Sequence, residues 1–211
     1  MKKLKIYIAT LMVTTLGVSS LSAEDNSFTY VGIGGGYSMI NANFIDSDYY
    51  INDDDATGSS KTKNYKEDSM GMKVYGGYQF NKIIAVEGSF TDYGTLSSDN
   101  YTQKPQAVSI YANAGYSFLN NQLRPFGLLG LTYLQTNQSR DVLDDEMGAI
   151  HAGVGVEYYP TALKGFGIRG AIESDFHVNS QSAVNEDETH YSSQSFYKRY
   201  ALFYVGAQYR F

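Results

Sequence analysis

Residues 197–211 read YKRYALFYVGAQYRF, and the rest of the chain organises around them. Counting back from the end, Phe211, Tyr209, Ala207, Val205, Phe203 and Ala201 fall on one face. Arg210, Gln208, Gly206 and Tyr204 fall on the other. A strict period of two, apolar against mainly polar, is the signature of an extended strand. The edge strand of a soluble sandwich shares the alternation. Here, however, the apolar face carries aromatics toward both ends and meets no charge until Arg199, the pattern of a strand crossing a lipid band between interfacial girdles.

The amino-terminus points the same way. Lys2, Lys3 and Lys5 precede an apolar run, Ile6 to Leu16, that is too short for a stable helical anchor, and Ser19 to Ala23 supplies a small-residue cleavage region. Residues 1–23 are therefore expected to be a secretory signal peptide, with residues 24–211 forming one domain. The chain has no cysteine, so neither disulfides nor thiol lipidation are expected. Removing the leader takes away three of the 16 basic residues and none of the 22 acidic ones, so the net charge moves from −6 to −9. Such a balance argues against nucleic acid as a partner. No later run is long and apolar enough for a membrane helix, whereas twenty Tyr, eleven Phe and twenty-one Gly with only three Pro suit β structure.

Seven more strands can be read upstream of the last. They run Phe28 to Ile40, Ser69 to Phe80, Ile83 to Tyr93, Gln106 to Phe118, Leu123 to Leu134, Met147 to Tyr159 and Phe166 to Val178. Three glycines on one face of the first, Gly32, Gly34 and Gly36, imply that bulky groups approach from elsewhere. In the fifth, Leu128 and Leu129 interrupt the alternation. The connections alternate between long polar segments (41–68, 94–105, 135–146, 179–196) and short turns at Asn81-Lys82, Asn120-Asn121 and 160–165. The expected fold is all-β: an eight-stranded antiparallel up-and-down transmembrane β-barrel in the outer membrane, both chain ends periplasmic and four acidic or polar loops outside.

Two hairpins carry a family resemblance. Val74 to Gly94, VYGGYQFNKIIAVEGSFTDYG, resembles the second hairpin of the OmpA-like transmembrane domain and the small opacity-type barrels. Gly153 to Arg169, GVGVEYYPTALKGFGIR, is similar to their sixth-to-seventh-strand hairpin. The likeness extends over the mature chain as strand layout and is specific in those two hairpins. It implies only the barrel half of an OmpA-type protein, with no peptidoglycan-binding domain expected after Phe211.

By strand parity the lumen holds Lys73, Glu87, His151, Glu157, Arg169, Glu173, Asp175, His177 and Arg210. Eight strands leave an interior that side chains just fill, and charges there must be paired. The resemblance implies that Glu87 and Arg169 match a family Glu–Arg pair that plugs the barrel or acts as a gate, with Glu157 nearby. Asn113 stands where the family pattern has an inward lysine, which leaves Lys73 or Arg210 as substitutes; Glu173 completes the candidate set. Tyr209 and Phe211 are the expected assembly signal for the barrel-assembly machinery.

The expected role is structural and surface-interacting, with membrane lipids, lipopolysaccharide and host or phage surfaces as partners. A narrow gated ion-conducting pore is the alternative. A lipid A-modifying enzyme is a third reading, since His190-Tyr191-Ser192-Ser193 and the pair His177 and Ser180 place histidine near serine. No orienting acid accompanies them, so no catalytic residue is assigned. Asp53-Asp54-Asp55 lacks calcium-loop spacing, and neither metal nor cofactor is expected.

Overall fold

The computed structural model describes residues 27–52, 55–98, 101–137, 146–184 and 190–211. The expected signal peptide, Asp53-Asp54 and the acidic stretch 138–145 lie outside them. The strands are β1 (Phe28–Asn52), β2 (Asp55–Gln79), β3 (Ile84–Asp92), β4 (Leu96–Ser98), β5 (Tyr101–Gln103), β6 (Gln106–Gly115), β7 (Leu123–Gln135), β8 (Glu146–Tyr158), β9 (Phe166–Val184) and β10 (His190–Arg210). Eight of them close a barrel in the order β1-β10-β9-β8-β7-β6-β3-β2, with β4 and β5 forming a separate two-stranded ribbon. Every neighbour is antiparallel, and β10 closes on β1 from Tyr30↔Arg210 onward.

Closure follows from the alternation. Outward side chains such as Ile33, Val74, Leu129, Ile168, Phe203 and Val205 are exposed, a continuous apolar belt that only lipid could cover. The opposite faces hold a polar and tyrosine-rich interior. Gly32 and Gly34 make room for it: a Cβ on the first would strike the Tyr75 ring, and one on the second the Tyr204 ring. Leu128 and Leu129 do not break the pattern. Leu128 is buried inside while Leu129 faces out, so β7 alternates without interruption.

The short turns form as expected. Asn81 accepts hydrogen bonds at its side-chain oxygen from the amides of Ile83 (2.8 Å) and Ile84 (3.0 Å). Asn120 and Asn121 adopt left-handed conformations at φ 57° and 65°, which asparagine tolerates better than most residues. The strand before that turn ends at Gly115 rather than Phe118, which keeps only an isolated bridge to Leu123.

The long connections require correction. Segment 41–68 is not a loop: β1 and β2 stay in register from Phe28↔Gln79 to Asn52↔Asp55. Segment 179–196 is likewise mostly strand, since β9 runs to Val184 and pairs with β10, which begins at His190. Segment 94–105 contains the β4–β5 ribbon. Ladder hydrogen bonds hold these extensions without needing a buried apolar face. By contrast β3 pairs with β2 only from Met72, and β8 pairs with β9 only as far as Phe176. Four strands, β2-β1-β10-β9, therefore continue past the rim as a sheet, with roughly 50 Å of strand in β2 alone.

Filling the space beside Tyr204 should cost stability. Gly34→Val is expected to lower the unfolding free energy of the refolded barrel by about 1–3 kcal/mol in a urea titration. Gly35→Ala, whose Cβ would meet its nearest neighbour at 3.7 Å, should stay within about 0.5 kcal/mol of wild type.

Candidate functional site: the charged lumen

Midway along the barrel, Arg169 projects from β9 into the centre and is completely buried. Its Nη1 donates to Glu87 Oε2 at 2.9 Å and lies 3.5 Å from Glu157 Oε1; its Nη2 lies 3.7 Å from Glu173 Oε1. The guanidinium carbon stands 4.5 Å from the Tyr75 ring centre and 4.3 Å from that of Phe126. Three carboxylates thus surround one cation, with aromatic faces on its remaining sides. Glu87 comes from β3, far around the wall; Glu157 is the register partner of Arg169 on β8.

On the side toward the short turns, Arg124 Nη1 reaches Glu157 at 3.4 Å and its Nη2 donates to the Ile83 carbonyl at 3.1 Å. Toward the long hairpins, Lys73 pairs with Glu173, which also accepts from the Tyr204 hydroxyl at 2.7 Å. His151 joins two acids, with Nε2 3.2 Å from Glu173 and Nδ1 2.7 Å from Asp175. Of these two contacts the one to Asp175 is a hydrogen bond, whereas Nε2 stands beside Glu173 without one. Asp175 further accepts from Thr132 at 2.7 Å and from Tyr93, and Thr132 is bonded to Ser109. Tyr111 stacks on His151 with ring centres 4.5 Å apart.

Lys73, Arg124, Arg169 and His151 therefore face Glu87, Glu157, Glu173 and Asp175 in one connected, buried cluster. Each of the four acids has at least one of these basic groups within 4 Å, the pairing a low-dielectric interior demands. Asn113 is not a vacant lysine position but a donor to Glu87.

The structure brings together Glu87, Arg169, Glu157, Lys73 and Glu173 from the sequence-derived set. It separates two others. Arg210 sits at the mouth on the short-turn side, its guanidinium over the rings of Phe28 (5.6 Å) and Tyr159 (4.5 Å), where it lines an open pocket of about 460 Å³. His177 has the expected parity but lies partly exposed near the opposite rim, with Nδ1 2.7 Å from the Gly148 carbonyl. Arg124 was not anticipated. Once Leu128 is assigned to the interior, Arg124 follows by parity, opposite Glu157 in the β7–β8 register. The side chains of Ser180 and of His190 to Ser193 lie outside the described residues, as does Asp53-Asp54. Among the described residues no cluster of acids and histidines suited to a metal occurs.

Residues 8–211 match the family model described as outer membrane protein beta-barrel domain. No curated protein matches the chain. Among solved structures, OprG of Pseudomonas aeruginosa aligns at 12% identity with a TM-score of 0.52, covering 91% of this chain and 99% of that one. The N-terminal barrel of Pseudomonas aeruginosa OprF (15%, 84% and 99%, TM-score 0.44) and Ail of Yersinia pestis (19%, 83% and 99%, TM-score 0.37) are also similar. At these identities the OprG likeness speaks to fold alone.

Removing the central cation should be severe. Arg169→Met is expected to lower barrel stability by about 3–5 kcal/mol, because three carboxylates lose their shared partner. The double variant Glu87→Gln/Arg169→Met should cost clearly less than the sum of the singles in the same urea titration. Additive losses would show that the pair is not coupled.

Proposed function

Because the chain belongs to the outer membrane protein β-barrel family and resides in the outer membrane, we propose that it is a sealed, non-enzymatic barrel. Its work is to anchor and display the four-stranded extension on the cell surface. The observation that carries this reading is the complete burial of Arg169 in a lumen crossed by ion pairs. The cluster spans the cross-section, and every cation in it is matched by an acid, so a hydrated ion meets side chains rather than water.

The long sheet then becomes the working part. Its strands carry serines, threonines, asparagines, lysines and tyrosines rather than an apolar docking face, which fits a surface that meets polar ligands outside the cell. Lipopolysaccharide and host or phage surfaces are the proposed partner classes. Lumen residues Glu87, Arg169, Glu157, Lys73 and Glu173 serve as the plug. Tyr209 and Phe211, outward at the closing seam with ring centres 5.1 Å apart, serve as the signal for the barrel-assembly machinery.

Two measurements test this proposal. The refolded protein should give no discrete conductance steps in a planar bilayer; regular openings of the wild type would instead favour the narrow pore. Because the chain lacks cysteine, single probes can be placed cleanly. Ser59→Cys in the hairpin should react with a membrane-impermeant maleimide on intact cells, and Asn121→Cys in a short turn only after the outer membrane is opened. The reverse pattern would overturn the orientation.

A further inference from the structure

The outer wall carries a second arrangement, separate from the lumen. On β10 the outward apolar series Tyr209, Ala207, Val205, Phe203 and Ala201 ends at Arg199. Arg199 pairs in register with Asn41 of β1, and Asn41 pairs with Lys66 of β2. All three share the outward parity of Phe203, Tyr37 and Met70, so they form one row across three adjacent strands. Neighbouring strands stand about 4.8 Å apart, which places the two cations about 10 Å apart at the backbone with an amide between them.

The arginine is held in place. Its Nε donates to Ser174 Oγ at 3.2 Å, and its guanidinium carbon lies 5.6 Å from the centre of the Phe176 ring. Lys66 is exposed. Among the described residues neither cation forms an ion pair. The nearest outward acid in the row below, Asp68, is set against the Tyr37 hydroxyl. Lys198 and Tyr200, which flank Arg199 in sequence, are buried on the opposite parity.

Depth identifies what this row meets. Arg199 precedes Phe211 by 12 residues, or about 30 Å along the axis of a barrel whose strands tilt by about 40°. The lipid-facing belt of such barrels is about 25 Å tall. Arg199 therefore stands just past the belt, at headgroup level on the side of the long hairpins. In the outer leaflet of an outer membrane that level is occupied by the phosphorylated glucosamines of lipopolysaccharide. A guanidinium binds phosphate through two parallel N–H bonds, a lysine as a point charge, and an asparagine amide as a neutral donor.

We propose that Arg199, Asn41 and Lys66 form an outward-facing site for a lipopolysaccharide headgroup phosphate. With Nε taken by Ser174, the two Nη groups would meet the phosphate, while the acyl chains would run down over Phe203 and Tyr37. The proposal rests on the outer-membrane orientation given above.

Native mass spectrometry of the refolded mature protein released from detergent micelles, with purified lipid A as the probe, tests the site. Wild type should retain one bisphosphorylated lipid A. Arg199→Gln/Lys66→Gln should lower retention at least tenfold, and Arg199→Lys should give an intermediate loss. Lys164→Gln, in a short turn, should leave retention unchanged, and lipid A stripped of phosphate should not be retained by any of them. Heat-modifiable gel migration confirms that each variant is folded. Equal retention by wild type and the double variant would overturn the proposal, as would equal displacement by phosphatidylglycerol. In micelles both ends of the barrel are accessible, so this result reads the site alone, while the maleimide experiment reads orientation.

Discussion

The charge of Arg169, placed at the centre of a closed eight-stranded barrel, is the constraint to which the interior answers. A lone guanidinium in that medium would be prohibitively costly, and each surrounding element supplies part of the compensation. Glu87 crosses from β3, Glu157 and Glu173 reach in from β8 and β9, and Tyr75 and Phe126 cover the faces of the cation. Each acid recruits its own partner in turn: Asn113 for Glu87, Arg124 for Glu157, Lys73 and His151 for Glu173. The cluster thereby fixes where β3, β7, β8 and β9 stand relative to one another, because a slip of one residue would send every inward charge into lipid.

The same economy of space explains the glycines of β1. Tyr75 and Tyr204 must lie flat against the inner wall to leave room for Arg169, and Gly32 and Gly34 provide the floor they rest on. The tyrosine-rich composition is thus not only a matter of interfacial girdles. Tyr30, Tyr75, Tyr93, Tyr111, Tyr200 and Tyr204 are all buried inside, packing as aromatics, and the hydroxyls of Tyr75, Tyr93 and Tyr204 bond to Gln208, Asp175 and Glu173.

Much of this was legible in the sequence, for physical reasons that also mark where legibility stops. Alternation located the membrane-crossing parts of the strands, because lipid on one side and polar packing on the other impose opposite chemistry on successive residues. Asn81 and the Asn120-Asn121 pair located the turns through their own hydrogen bonding and left-handed tolerance. The extended hairpins were misread because a sheet with water on both faces needs no apolar period: Asn41 to Asn52 and Asp55 to Asp68 look like loop while pairing as strand. Parity placed Arg210 and His177 on the inner face but carries no depth, and depth separates a mouth or rim residue from a member of the buried ion-pair cluster. Arg124 was missed because two adjacent leucines looked like a break in β7, although one leucine on each face is what alternation allows.

The two ends of the barrel follow from these facts. At one end three short turns bring the strands together and leave an open mouth lined by Arg124, Tyr159 and Arg210. At the other, β1, β2, β9 and β10 simply do not stop. These are the strands that share the chain-closing seam, and each extension is paired with its neighbour before the remaining strands have ended. A sheet continuous with the barrel wall inherits its register and its rigidity from the membrane-embedded part, so the exposed surface is held without a core of its own. Arg199, Asn41 and Lys66 lie at the junction of the two regimes, where the outward face changes from apolar to polar. The chain thus changes chemistry at the depth where the bilayer does.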